Sequence, residues 1–161
     1  MDLIGRIALR PADSADGDLL LEIYASTRRA ELAQVPWTDA EKDAFVRMQH
    51  TAQDRYYRAE FPHTAFSIVL FDGAPVGRLY VDRRADEIRI IDIALLAEHR
   101  GRGIGTALLT ALLDEARRVA KPVRIHVERL NPALQLYRRL GFAVIEDGEV
   151  YLLMESGPPR A

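Results

Sequence analysis

The stretch Arg100-Gly101-Arg102-Gly103-Ile104-Gly105-Thr106 decides how this chain is read. Upstream lies an apolar run, Ile90-Ile91-Asp92-Ile93-Ala94-Leu95-Leu96, and downstream residues 107–120 carry apolar side chains at helical spacing. A strand that feeds a glycine-rich turn at a helix start is an anion site. The first amides of a helix have no intrahelical acceptor and carry partial positive charge. Glycine removes the Cβ that would hold a phosphate off the backbone. Arg100 and Arg102 add full charges beside the turn. The expected ligand is phosphorylated, in particular a diphosphate.

Working outward, the pattern changes period twice. Residues 6–10 alternate as a first strand, ended by Pro11, and Asp13, Ser14 and Asp16 are candidate caps for a helix carrying Leu20, Ile23, Tyr24 and Thr27 on one side. Residues 30–36 have no clear period. Thr38 with Glu41 fits a capping box, opening a helix expected to turn Phe45, Met48, Ala52 and Tyr56 inward until Phe61-Pro62 stops it. Residues 65–71 and 76–81 are strand-like around Asp72-Gly73, a hairpin signal, and a third strand covers 87–96. After the glycine loop and its helix come a strand at 123–127, a short helix over 131–140 with Gly141 beyond it, and a hairpin of 142–145 with 150–154. The tail, 156–161, is expected to fray. The order defines an α/β fold with a mixed, mostly antiparallel central sheet flanked by helices, in a single domain over 1–161.

Composition narrows the function. The chain has 161 residues, 48% hydrophobic and 29% charged, with a formal net charge of −2 and a pI near 6.1. That balance disfavours nucleic acid as the main partner. No apolar run approaches the ~20 residues of a membrane span, and the start, Met1-Asp2-Leu3-Ile4-Gly5-Arg6, lacks the core of a signal peptide. There is no cysteine, so disulfides and thiolate nucleophiles are absent, and a cytoplasmic setting is the simplest expectation. His50, His63 and His99 have no metal-ligand spacing, and no metal is expected.

Three phosphate-binding readings compete. A P-loop needs a Gly-Lys pair, which the chain lacks. A dinucleotide fingerprint needs Gly or Ala where Thr106 stands, and the loop comes late, after strands that read as antiparallel. The third is a family pattern. Arg100-x-x-Gly103-x-Gly105 resembles the R/Q-x-x-G-x-G/A signature of the GNAT superfamily of acyl-CoA-dependent N-acetyltransferases. Downstream, Asn131-Pro132-Ala133-Leu134-Gln135-Leu136-Tyr137-Arg138-Arg139-Leu140-Gly141-Phe142 resembles that family's second motif, N-x-x-A-x-x-L-Y-x-x-x-G-F, with Ala133 one place early. The element order is similar too, so the resemblance spans nearly the whole chain.

The resemblance implies acetyl-CoA as co-substrate, lying between two splayed strands, with the backbone of Ile93 and Leu95 pairing with its pantetheine arm. It places the pyrophosphate on the loop Arg100, Gly101, Arg102, Gly103, Ile104, Gly105 and Thr106. Asn131 would bond the pantetheine arm or cap the short helix, and Arg138 and Arg139 would lie near the 3′-phosphate or on a solvated face. It implies direct acyl transfer to a primary amine in a ternary complex, with the Leu95 N–H a candidate oxyanion donor and Tyr137 attending the leaving thiolate. For the base, His126, Asp92 and Glu128 stand beside a water chain; a histidine titrates near neutrality. The acceptor, small molecule or protein, would be shaped by residues 24–61, Trp37, Tyr56 and Tyr57 included. A homodimer is left open. The alternatives are a non-catalytic acyl-CoA-binding regulatory module and a dinucleotide-binding protein.

Overall fold

The computed structural model describes residues 3–157. Seven strands and four helices follow in order: β1 (Ile7–Pro11), α1 (Gly17–Leu32), α2 (Asp39–Glu60), β2 (Ala65–Phe71), β3 (Ala74–Arg83), β4 (Ile88–Leu95), α3 (Ile104–Val119), β5 (Val123–Glu128), α4 (Leu134–Arg139), β6 (Ala143–Asp147) and β7 (Tyr151–Ser156). The strands form one sheet in the order β1-β2-β3-β4-β5-β7-β6. Only β4 and β5 run parallel; every other pair is antiparallel. Of the tail expected to fray, Ser156 closes β7, while residues 158–161 lie outside the described residues.

Alternation splits the sheet into two faces, each with its own core. On one, Val69, Val76, Leu79, Val81, Ile88, Ile90, Val123, Ile125 and Met154 pack against α3 and α4 through Leu108, Leu109, Leu112 and Tyr137. On the other, Ile68 and Tyr80 pack against Leu20 and Ile23 of α1 and Tyr57 of α2. One irregularity matters for the site. Tyr80 pairs with Asp92 but Val81 with Ile90, so Ile91 is an extra residue in β4. A bulge bends its strand and raises the local twist. Here it lets Ile91 join the α1 core and Asp92 reach α2, while Ile93 and Leu95 pack on the α3 side. Gly77 sits under this segment, and a Cβ there would come within 2.3 Å of the Ala94 carbonyl oxygen.

Local signals set the helix ends. Asp13 accepts from the Ala15 N–H and Asp16 from the Asp13 N–H, a capping box on the single 3-10 turn Ser14–Asp16 that leads into α1, whose own N-terminus has no side-chain cap. The Thr38–Glu41 capping box is present in both directions. Three expectations need correcting. Thr27 is exposed and Ser26 is buried in its place. The helix after the glycine loop begins at Ile104 rather than at 107, because Gly103 at its N-cap takes φ +86°. In α2 the inward stripe is Val46, Gln49, His50, Gln53 and Tyr57, while Met48 and Tyr56 are exposed. The apolar residues suggested one face; the helix turns a mostly polar one toward the sheet.

Candidate acyl-transfer site

The glycine loop forms as a turn between β4 and α3. Gly101 and Gly103 hold φ of +73° and +86°, values that side chains resist. No side chain caps α3, so its first amides remain available to an anion. Arg102, Arg138 and Arg139 are exposed and make no ion pair among the described residues. Arg100 is directed elsewhere: its Nε donates to the Leu95 carbonyl at 3.0 Å and its Nη2 to Ser26 Oγ at 3.2 Å. Ser26 in turn accepts from the Ala97 N–H at 3.0 Å. The arginine thus ties the end of β4 to α1.

Next to the loop the sheet opens. β4 and β5 pair at only three positions, Ile88 with Val123, Arg89 with Arg124 and Ile90 with Ile125. Beyond them β4 continues to Leu95 and β5 to Glu128 without pairing to each other. Ile93 and Leu95 pair with Leu79 and Gly77 of β3 on one side and have no strand on the other. Such an edge offers backbone donors and acceptors to an extended ligand.

Tyr137 stands on α4 with its ring against Phe142, 5.7 Å between centroids. The residue is buried, 4% exposed, and no group among the described residues hydrogen-bonds its hydroxyl. Burial, helped by the charge of Asp92, pushes its phenol up to about 12. Asn131 accepts from the Ala133 N–H through Oδ1 at 2.8 Å, shaping the turn into α4.

Asp92 lies in a buried ion pair. Arg78, 2% exposed, donates to its Oδ1 from Nε at 3.2 Å and to its Oδ2 from Nη2 at 2.9 Å. Tyr57 donates to Oδ2 at 2.9 Å, and Arg78 also reaches Gln53 Oε1 at 2.8 Å. Burial and Asp92 push the Tyr57 phenol well above its ordinary range, so it stays a donor. Arg78 and Gln53 were not singled out from the sequence. The available signal was a lone cation in the apolar run of β3 beside a lone anion in that of β4.

His126 is on β5, on the sheet face that α1 and α2 cover further along, with its Nδ1 3.2 Å from Nη1 of Arg89. Burial and then the Arg89 charge lower its proton affinity below the ordinary histidine value. It borders a cavity of about 300 Å³ lined also by Glu146, Glu149, Val150, Tyr151 and Leu153. Glu128, the third base candidate, lies 3.8 Å from Arg28 of α1. Among the described residues no group of three or more His, Asp or Glu could hold a metal ion. No described helix is long and apolar enough to cross a membrane.

The splayed strand pair, the uncapped helix behind the glycine turn and the buried Tyr137 all lie on the segments that carry the sequence motifs. The chain belongs to the acetyltransferase (GNAT) family, whose sequence profile matches residues 20–142. A stretch covering 42% of this chain is 35% identical to an N-alpha-acetyltransferase of Sulfurisphaera tokodaii and covers 46% of that protein, so the match spans about half of the relative's length. Among solved structures, the fold is similar to PaiA N-acetyltransferase of Thermoplasma acidophilum in complex with coenzyme A, with a TM-score of 0.70 and 19% identity over 94% of this chain and 99% of that one. It is also similar to an Arabidopsis thaliana protein in complex with the bisubstrate analogue CoA-Ac-MVNAL, with a TM-score of 0.57 and 18% identity over 94% and 99%. At such identities the likeness is one of fold.

Proposed function

We propose that the protein transfers an acetyl group from acetyl-CoA to a primary amine by direct attack within a ternary complex. The observation that carries this reading is the parting of β4 and β5 after Ile90 and Ile125, which leaves the Ile93–Leu95 edge unpaired beside the open start of α3. Pantetheine pairs along that edge, and the pyrophosphate lies on the amides of residues 102–106 with Arg102 alongside. The thioester carbonyl then sits near the Leu95 N–H, a donor for the developing oxyanion. The amine nitrogen forms the new C–N bond, the C–S bond breaks, and coenzyme A leaves as a thiolate.

Tyr137 serves chiefly as a hydrogen-bond donor to that sulfur. Full proton transfer from a phenol near 12 to a thiolate near 8.5 would cost about 5 kcal/mol. Of the base candidates, Asp92 has both oxygens committed to Arg78 and Tyr57. His126, held neutral and bordering an open cavity, is the residue we assign to accept the amine proton. The likeness to an N-alpha-acetyltransferase and to a fold solved with a peptide-bearing analogue supports a peptide α-amine as the first acceptor to try.

The test is isothermal titration with acetyl-CoA and with CoA, followed by thiol release across a panel of peptides and small amines. Binding plus amine-dependent thiol release is expected. No binding at millimolar acetyl-CoA would overturn the proposal.

A further inference from the structure

Arg89 and Arg124 are register partners on the adjacent parallel strands β4 and β5, the middle of the three pairs that join them. Two guanidinium groups side by side repel. Glu87, 4% exposed, lies between them. It accepts from Arg89 Nη2 at 3.1 and 3.3 Å, from Arg124 Nη1 at 3.1 Å and from Arg84 Nη1 at 2.8 Å. The same Arg89 reaches His126 through its other terminal nitrogen.

A guanidinium only donates, so the contact fixes the role of each imidazole nitrogen. Nδ1 presents its lone pair to Arg89, and in the neutral ring the hydrogen sits on Nε2. While the contact holds, the ring has no free lone pair. Arg89 is also incompletely satisfied, because its Nε is buried without a partner, a state that costs free energy. A small withdrawal toward Glu87 would bring Nε and Nη2 together onto that carboxylate in a two-point pair, the stronger arrangement.

We propose that Arg89 is a positioning residue that decides when His126 accepts a proton: lying on Nδ1 it holds the ring idle, and drawn back onto Glu87 it frees that nitrogen for the proton of the attacking amine. The inference rests on the reading of His126 as the base. The other charged and titratable groups facing the ring are Arg84 and Glu87 from the β3–β4 connection, Glu146 from β6, and Glu149 and Tyr151 from the β6–β7 hairpin. Glu146 and Glu87 favour the charged ring, whereas Arg89 and Arg84 oppose it.

The test is a ¹⁵N NMR titration of His126 in the full chain, alongside the pH dependence of kcat/KM. In the unaltered protein the Nε2–H form should dominate at neutral pH. In Arg89→Met both tautomers should appear, and the titration midpoint should rise by about one pH unit as a neighbouring cation is lost. The acidic limb of kcat/KM should rise with it. Arg89→Lys keeps a cation beside Glu87 but cannot bridge to His126, so it should show the tautomer change even if the Met variant fails to fold. An unchanged tautomer in both variants would overturn the proposal. A shifted midpoint with an unmoved acidic limb would keep the Arg89–His126 coupling and remove His126 as the base.

Discussion

Tyr57 of α2 donates to Asp92 of β4 across the helix–sheet interface, onto the same oxygen that accepts from Arg78 Nη2. This junction joins α2 to the strand that, on the proposed reading, would carry pantetheine. It is mostly sealed, with Arg78 at 3% and Asp92 at 14% side-chain exposure. Breaking a buried pair leaves an uncompensated charge. Arg78→Met should therefore destabilise the protein by about 3 kcal/mol, read by urea unfolding. The double variant Arg78→Met with Asp92→Leu should recover most of that loss. Equal instability of single and double variants would contradict the account.

Tyr137→Phe removes one hydroxyl and leaves the ring packed on Phe142. Acetylation should slow by about 10²-fold in kcat, with KM for acetyl-CoA nearly unchanged, because a bond from this hydroxyl to the leaving sulfur, as proposed, would strengthen only as charge reaches the sulfur. Steady-state kinetics decide this. A rise in KM alone would mean that the hydroxyl serves binding.

Gly103 holds φ +86° at the start of α3, and a Cβ there would lie 3.1 Å from Leu3 Cδ1. Gly103→Ala should cost about 1–2 kcal/mol of backbone strain and weaken acetyl-CoA binding, as the turn shifts its amides. Calorimetry on a variant shown folded by circular dichroism provides the check, and unchanged affinity would place the pyrophosphate elsewhere.

Asp16 accepts two hydrogen bonds from Arg10, each 2.8 Å, and one from the Asp13 N–H. Arg10 and then the Asp13 amide lower its carboxyl from 3.8 to about 2. The folded value lies below the unfolded one, so this contribution is complete above the unfolded value and disappears as pH falls through the folded one. The thermal stability of the unaltered protein should therefore fall between about pH 5 and pH 2, and Asp16→Asn should flatten that slope. Identical slopes would remove Asp16 as a source of acid sensitivity.

Much of the scaffold was legible because its signals are local. The period-2 runs, the Thr38–Glu41 box and the glycine turn each depend on a few neighbouring residues, and each forms. What escaped reading depends on partners distant in sequence. The insertion of β7 between β5 and β6 is invisible in a hairpin pattern. The inward face of α2 carries Gln49, His50 and Gln53, so apolar periodicity pointed to a neighbouring stripe. Arg78 meets Asp92 and Arg89 meets His126 only once strand order and register are known. The bond from Arg100 to Ser26, 74 residues away in sequence, was out of reach for the same reason.

The three pairs between β4 and β5 also make the sheet a jointed object. The panel β1–β4 and the panel β5–β7–β6 share one short seam, riveted at its base by Glu87 and its arginines. An extended arm lying in the gap would act as an eighth strand laid between the panels. The donor would then be mortar as well as reagent, and each turnover, by releasing coenzyme A, would loosen the wall it had completed.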